Sequence, residues 1–286
     1  MTRKHRQRVL AVWVVAGLVF CLVLQYLAAT DLQRRHARIV SPVLNENTLL
    51  RLQNIPRLTG DCVLLGSSIT ERMPVTDHVS VIAIPGSSFT AGCILMDRHA
   101  HFPRETTYIL EVNNLFSGNN WDVLRQTEKW DFYRLADNKF LSRAARPVNQ
   151  IVSYVYLFSA DTNAHMAEND CFDTPIEQPE ELSAGAPTPE EMEEWSEVLQ
   201  RMQELRAKGG KLCMVYYPSN DLKGFEESYK KAQKLAAYAN VPLLNYNKAE
   251  WLPRVVLTDH HHMDHRAPET MRFRNTVVRD ARKCAR

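Results

Sequence analysis

The sequence predicts an α/β protein in which helices cover both faces of a mostly parallel central sheet, a three-layer α/β/α arrangement preceded by one transmembrane helix. Two observations carry this fold class. Short apolar runs recur along the chain with helical patterns between them, and such alternation is typical of a parallel sheet covered on both faces. A long uncharged stretch also stands near the N-terminus. About 255 residues follow it, which is enough for one α/β domain with a full core.

The first predicted element is a membrane anchor. Val9 to Thr30 carries no charge and has one interior polar residue, Gln25. A helix needs about 20 apolar residues to cross a bilayer, so this stretch is long enough. Basic residues before it favour an N-terminus inside and the remaining chain outside the cytoplasm; they are Arg3, Lys4, Arg6 and Arg8. A signal peptide cleaved near Ala28-Ala29 is the alternative, but its apolar region usually runs only about 7–15 residues, which favours an uncleaved anchor.

The chain divides into three predicted parts. Residues 1–30 form a basic stub and the anchor, residues 31–58 form a membrane-proximal connector, and residues 59–286 form the globular domain. The stretch 115–187 breaks the alternation of strands and helices, so we expect a helical insertion there. Its aromatic side chains fit either a cap beside the functional site or additional core.

Five apolar runs predict the strands: Cys62 to Leu65, Val79 to Ile84, Thr107 to Leu110, Lys211 to Tyr217 and Val241 to Leu244. Thr188-Pro189-Glu190-Glu191 is a capping box with proline at the first helical position. The helix that it begins has an apolar face and ends at Gly209-Gly210; that face comprises Met192, Trp195, Leu199 and Met202. A further helix is predicted from about Leu222 to Tyr238.

Charge excludes one class of partner. The formal net charge is +2. The four basic residues before the anchor leave about −2 for the rest of the chain, which argues against a nucleic-acid-binding surface. Five of the six cysteines follow the anchor, and an odd number leaves at least one thiol without a partner in the same chain. Cys62 and Cys213 fall in predicted core strands, so we expect both to be buried thiols.

Three short segments bear the residue types that acyl transfer needs, namely a hydroxyl, a base and hydrogen-bond donors for an oxyanion. They are Gly66-Ser67-Ser68-Ile69-Thr70, Glu111-Val112-Asn113-Asn114 and Asp259-His260-His261-His262. The first follows an apolar run, so its serines lie where a parallel strand ends and ligands usually bind. A serine pair that caps a helix beginning near Ile69 is the alternative.

The first segment resembles the opening motif of the SGNH (GDSL-like) hydrolases, which reads Gly-Asp-Ser-Ile/Leu-Thr after an apolar strand. The resemblance implies a flavodoxin-like fold, with Ser68 as the nucleophile and its N–H as an oxyanion donor. Ser67 stands where the family usually has aspartate. Gly86 matches the glycine of the second block and implies a second oxyanion N–H. The string Gly86-Ser87-Ser88 repeats Gly-Ser-Ser, but Ser68 is favoured because Ile-Thr-Glu follows it.

The remaining blocks of the resemblance supply the other groups. Asn113 aligns with the asparagine whose side-chain amide completes the oxyanion hole, although Glu111 and Asn114 replace the usual glycine and aspartate. The late Asp-x-x-His motif implies that Asp259 orients His262, which acts as the base. A shift of register would make His260 or His261 the base instead.

Metal binding is the alternative for the histidine-rich segment. Zinc binds nitrogen and carboxylate ligands, and this segment offers six: Asp259, His260, His261, His262, Asp264 and His265. Adjacent histidines seldom converge on one tetrahedral ion, which disfavours this interpretation. The resemblance implies no cofactor and no metal.

The resemblance implies a membrane-anchored, extracytoplasmic serine esterase or O-acyltransferase, periplasmic in a Gram-negative cell. Its expected substrates are acyl esters, acetyl above all, of a cell-surface or exported glycan. A multi-spanning acyl-transfer protein is an expected partner. The alternative is a catalytically inactive SGNH-like scaffold or accessory subunit, which Glu111 and Asn114 favour.

Overall fold

The computed structural model describes residues 3–34, 44–76, 78–136, 138–159, 170–179, 185–220, 222–259, 261–265 and 267–285. The chain clusters into two compact units. The anchor unit comprises Met1–Asn54 and Gln126–Asp161, and the sheet unit comprises Ile55–Arg125 and Thr162–Arg286. The stretch 115–187 is therefore divided between the two units. The prediction that it forms a cap or additional core stays open, and residues 160–169 and 180–184 of it lie outside the described residues.

The described helices are, in chain order, α1 (Arg3–Arg34), α2 (Leu44–Leu52), α3 (Ser68–Glu71), α4 (Phe89–His99), α5 (Trp121–Thr127), α6 (Pro147–Ser159), α7 (Pro189–Ala207), α8 (Leu222–Ala239) and α9 (Pro268–Cys284). Short 3-10 turns occupy Ile55–Arg57, Arg143–Ala145 and Leu252–Arg254. The helices predicted to begin at the capping box and near Leu222 are both present within two residues of their expected starts.

The strands are β1 (Cys62–Gly66), β2 (Val79–Ala83), β3 (Thr107–Glu111), β4 (Lys211–Tyr216) and β5 (Leu243–Asn245). They form one sheet with the order β2-β1-β3-β4-β5, and all four pairings are parallel. The predicted α/β class and its five strands are therefore confirmed. The first strand lies between β2 and β3, so the order reverses there, and ligands of open parallel sheets bind beyond the carboxyl ends at such a point.

The strands are mostly apolar because almost every residue in them is buried. One set of side chains, including Leu64, Ile109 and Val215, packs in a core cluster with Phe273 and Val277 of α9. Helix α4 contacts β1 and β2, and α7 contacts β4. Cys62 and Cys213 are both fully buried, as predicted.

Helix α7 begins as the capping box predicts. Glu191 N–H donates to Thr188 Oγ1 at 3.2 Å, and Thr188 N–H donates to the Glu191 carboxylate at 2.8 Å. The helix ends before Gly209, which has a positive φ of 85° that favours glycine. Its buried face is rotated slightly from the predicted one and consists of Trp195, Val198, Met202 and Leu205.

Helix α1 is long and apolar enough to span a membrane. The span runs over 28 residues, His5–Leu32, and its mean hydropathy reaches 2.4. Large apolar side chains from Leu10 to Leu27 are exposed along it, whereas Ala29 and Leu32 are buried. The predicted long apolar N-terminal helix is thus present.

Candidate active site

Ser68 lies at the carboxyl end of β1, where the chain turns from the strand into α3. Ser67 is the N-cap of this helix, and its Oγ accepts a hydrogen bond from Ile69 N–H at 3.3 Å. Ser68 is the first helical residue and is half-buried. The capping interpretation therefore holds for Ser67, and the neighbouring Ser68 hydroxyl is left for another contact.

That contact is with His262. The distance from His262 Nε2 to Ser68 Oγ is 2.8 Å, and the distance from His262 Nδ1 to Asp259 Oδ2 is 2.7 Å. The carboxylate can only accept, so it selects the tautomer with a proton on Nδ1. Nε2 then accepts the Ser68 proton. The structure thus brings together the three side chains that the sequence assigns to a triad.

The segment that carries Asp259 and His262 is held by its own hydrogen bonds. Leu257 and Met263 form an antiparallel bridge, and Thr258 N–H donates to His262 O at 2.8 Å. Asp259 Oδ1 accepts the backbone N–H groups of His261 and His262 at 2.9 and 2.8 Å. One carboxylate oxygen therefore fixes the backbone of this loop, while the other orients the imidazole.

The same bonds control the charge of Asp259. Partial burial opposes ionisation, but the N–H groups of His261 and His262 and the His262 ring hold the pKa of Asp259 well below its usual range. The carboxylate is therefore ionised at neutral pH. An ionised partner favours the imidazolium that forms when His262 takes a proton.

Glu111, at the end of β3, holds the turn that carries Ser68. Its carboxylate is 1% exposed. It accepts Ser67 N–H at 2.9 Å, Thr70 N–H at 3.0 Å and the Thr70 hydroxyl at 2.6 Å, and it also accepts the Ser67 hydroxyl. Asn114 Nδ2 donates to Ser67 Oγ at 2.9 Å. A buried carboxylate with this many donors is compensated for its lost hydration.

Glu111 restricts the residue type at Gly66 and affects the pKa of Tyr217. A Cβ at Gly66 would overlap the Glu111 carboxylate and the Thr70 hydroxyl, so only glycine fits there. Tyr217 is buried nearby, and burial together with the Glu111 charge raises its pKa above the ordinary value. Sequence reasoning missed the function of Glu111. The available signal was a carboxylate that ends an apolar strand, since a buried charge needs donors such as Ser67 and Thr70.

Asn113 extends the pairing of β3 with β4. Its Nδ2 donates to Tyr217 O at 3.1 Å, and its Oδ1 accepts Tyr217 N–H at 2.9 Å. The side chain is 1% exposed. Only the second N–H of this amide is left for an oxyanion. The assignment of Asn113 to an oxyanion hole stays a prediction.

Gly86 follows β2 in a turn and has a positive φ of 72°. Its backbone, rather than a lack of space, requires glycine, because an added Cβ would meet no atom of the described residues within 4 Å. The assignment of its N–H to the oxyanion hole also stays a prediction. In the repeated Gly-Ser-Ser string, Ser88 is the N-cap of α4 and accepts Thr90 N–H at 3.3 Å. Ser87 accepts Asn120 N–H at 2.8 Å.

The histidine-rich segment also offers possible metal ligands. Asp259, His261 and His262 offer ligand atoms within 4.8 Å of one another. Both nitrogens of His262 are already hydrogen-bonded to Ser68 and Asp259, so an ion here would displace one of these contacts. His265 Nδ1 lies 3.5 Å from Arg72 Nη1. His260 lies outside the described residues.

Three of the six cysteines are buried thiols that are unsuited to act as nucleophiles. Cys62, Cys93 and Cys213 are buried. Burial raises the pKa of Cys62 to about 12 and holds that of Cys213 well above its ordinary value. Neutral buried thiols are poor nucleophiles.

No family model matches the chain, and no curated protein matches it significantly.

Proposed function

We propose that this protein is a membrane-anchored, extracytoplasmic serine esterase or O-acyltransferase of the SGNH type. One observation carries the proposal, namely the continuous hydrogen-bonded chain from Ser68 through His262 to Asp259. A serine hydroxyl becomes a nucleophile when a base accepts its proton, and an ionised carboxylate stabilises the resulting cation. Asp259 is half-exposed and Ser68 is half-buried, so these three hydrogen-bonded side chains are accessible from solvent.

In the proposed reaction, Ser68 Oγ attacks the carbonyl carbon of an acyl ester while its proton moves to His262 Nε2. The tetrahedral intermediate collapses, and His262 returns the proton to the departing alcohol. The acyl-enzyme then reacts with water in an esterase, or with a sugar hydroxyl in a transferase. The N–H groups of Ser68 and Gly86 and the second amide proton of Asn113 are the proposed donors to the oxyanion.

The finer architecture belongs to the same proposal. We infer a three-layer, flavodoxin-like arrangement, in which α9 covers one face of the sheet and α4 and α7 cover the other. The separate contacts of these helices with the strands support it. We also infer that α1 crosses the membrane with its N-terminus in the cytoplasm, because four basic residues precede the uncharged stretch that begins at Val9.

An anchored acyl-ester enzyme outside the cytoplasm acts on material at the cell surface. We therefore propose that its substrates are acetyl or other acyl esters of a surface or exported glycan, with a multi-spanning acyl-transfer protein as the source of acyl groups in a transferase. The proposal requires no cofactor.

Fluorophosphonate labelling of the full chain, with the adduct mapped by mass spectrometry, tests the nucleophile. We expect an adduct on Ser68 that is absent in Ser68→Ala and lost in His262→Ala. Ser88→Ala, which alters the serine of the repeated string, is the matched control and keeps the label. If the wild-type protein is folded, as shown by a cooperative unfolding transition, and still carries no adduct on Ser68, the proposal is contradicted.

A non-catalytic scaffold is the second candidate. The engagement of Asn113 with the backbone of Tyr217 favours it, because one predicted oxyanion donor already has a structural role. Glycan acylation in a strain that carries Ser68→Ala separates the two candidates. Wild-type acylation with normal protein levels would support the scaffold, and loss of acylation would support catalysis.

A further inference from the structure

A group of exposed apolar side chains lies beside the membrane-length helix, within the anchor unit. Val148, Ile151 and Val155 of α6 are 54%, 64% and 62% exposed. Spacings of three and four residues place them on one face of the helix. Phe140 and Leu141, in the turn before α6, are 45% and 65% exposed. We call these five side chains the apolar collar.

The collar lies next to the part of α1 that is itself apolar and exposed. An apolar cavity of about 210 Å³ lies between Phe140 and a set of α1 side chains, which are Val19, Leu22, Val23 and Tyr26. The Phe140 and Tyr26 ring centroids are 6.0 Å apart. Phe140 therefore lies level with the last turns of the exposed apolar span, before α1 becomes buried at Ala29.

The opposite face of α6 packs on α1. Tyr154 OH donates to Asp31 at 3.1 Å, and Gln150 Nε2 donates to Gln25 O at 3.3 Å. Gln25, the polar residue inside the apolar stretch, donates to Ala145 O at 2.8 Å. This face holds α6 against α1 and leaves Val148, Ile151 and Val155 exposed on the other side.

The turn that carries the tip of the collar satisfies its own backbone. The N–H groups of Phe140 and Leu141 donate to Asn138 Oδ1 at 2.9 and 3.0 Å, and Ser142 N–H donates to Asn138 O at 3.1 Å. Asn149 Nδ2 donates to Arg143 O at 2.9 Å. Water is scarce at membrane depth, so irregular backbone is tolerated there only with internal partners.

Charged side chains lie between the two parts of the collar in sequence, and the same unit carries an exposed tryptophan. Arg143 and Arg146 both pair with Glu46, whose single carboxylate offsets one of their two positive charges. Trp130 is 77% exposed with Arg134 over its ring at 5.9 Å. Tryptophan is enriched where a protein meets lipid headgroups on either side of a membrane.

We propose that the apolar collar inserts into the outer boundary of the lipid bilayer beside α1. The inference rests on the proposed membrane crossing of α1 and extends it. Two elements, α1 and the collar, then anchor the protein in the bilayer instead of a single helix. An apolar helix face buried in the headgroup and acyl boundary binds through the hydrophobic effect. The collar therefore fixes the orientation of the anchor unit on the membrane. A single helix would allow the unit to rotate about the helix axis.

Photocrosslinking of the full chain in vesicles of phosphatidylethanolamine and phosphatidylglycerol tests the proposal. The photoreactive amino acid p-benzoylphenylalanine replaces one residue at a time, at Ile151, at Val15 of α1, or at Val75. Val75 is the matched control, an apolar residue of the sheet unit that is 52% exposed. We expect lipid adducts at Ile151 and at Val15 and none at Val75.

The other outcomes separate the two ideas. Lipid adducts at Val15 without adducts at Ile151 would overturn the collar and leave the anchor standing. Absence of adducts at both positions would overturn the anchor and the collar together. Dimer formation through Ile151 would show that a second copy covers the collar and would overturn lipid insertion. In native membranes, a protein adduct at Ile151 in place of lipid would assign the collar to a partner protein and would also overturn the proposal.

Discussion

At the scale of single residues, the site depends on two carboxylates with different surroundings. Asp259 is half-exposed and hydrogen-bonds to its own loop and to an imidazole, whereas Glu111 is buried and hydrogen-bonds to the turn that carries Ser68. Asp259 and His262 could be found in the sequence because they stand three residues apart. The sequence marks Glu111 only as a charged residue at the end of an apolar strand, because its partners become visible only when the pairing of β1 with β3 sets Gly66 beside it.

Replacement of Asp259 by asparagine tests the triad. The new side-chain amide can donate to His262 Nδ1, so it favours the tautomer that cannot accept the Ser68 proton. In Asp259→Asn we expect the rate of Ser68 labelling to fall roughly 10³–10⁴-fold, the order of loss seen when this partner is changed in serine proteases. Asp264→Asn, in the same loop, is the control and labels like the wild type. Equal rates in both variants would contradict a functional triad.

The lowered pKa of Asp259 predicts how stability depends on pH. In the unfolded chain the carboxyl titrates near about 3.9. Because its pKa is lower in the folded state, its stabilising contribution is present above that value and is lost as pH falls through the folded value. The urea midpoints of wild type and Asp259→Asn should differ at neutral pH, and this difference should shrink progressively as pH falls below about 4. Solvent exposure keeps this contribution small.

Glu111→Gln tests the buried carboxylate. The amide leaves fewer acceptors for four donors, so we expect a loss of about 1–3 kcal/mol in the free energy of unfolding. We also expect slower Ser68 labelling, because the turn is no longer held. Urea unfolding and labelling kinetics measure the two effects. Glu193→Gln, on the exposed face of α7, is the control and should change neither quantity.

At the scale of elements, features set by neighbours in sequence could be predicted, whereas features set by tertiary pairing could not. The capping box placed α7 correctly because its hydrogen bonds involve neighbours in sequence. The buried face of α7 is rotated slightly from the predicted face, because packing against the neighbouring strand decides which side chains of the helix are buried. The pairing of Asn113 with Tyr217 could not be predicted, because it depends on residues that are 104 positions apart.

Thr188→Ala tests the start of α7. The hydroxyl satisfies an N–H group at the helix end, so we expect a loss of about 1 kcal/mol in the free energy of unfolding. Ser68 labelling should not change, because α7 supplies no side chain to the triad. Ser196→Ala, in the exposed middle of the same helix, is the matched control. A larger effect from Ser196→Ala would contradict the capping role.

At the scale of the whole molecule, composition predicted the class and the long apolar helix, since a parallel sheet and a membrane span both need apolar runs. The division into two units was not predicted. Residues 126–161 cluster with α1, and their aromatic run was expected only as a cap or as core. Periodicity shows that a helix has an apolar face, but it does not show what covers that face.

Orientation of the chain in the membrane is tested by fusion of alkaline phosphatase, which is active only outside the cytoplasm, to the C-terminus. We expect an active fusion in the wild type. Replacement of all four basic residues before the apolar span by alanine should lower its activity, because the charge bias that sets orientation is lost. The same number of alanine substitutions at Lys230, Lys231, Lys234 and Lys248 is the control. An inactive wild-type fusion would reverse the proposed topology.

The distance along the chain between Ser68 and His262 also sets when the site can exist. The two residues are 194 positions apart. At ribosomal rates of about 5–20 residues per second, the serine is synthesised roughly 10–40 s before its base. A chain still attached to the ribosome therefore holds an inert hydroxyl. The proposed nucleophile gains its base only after His262 has been synthesised and has folded against it.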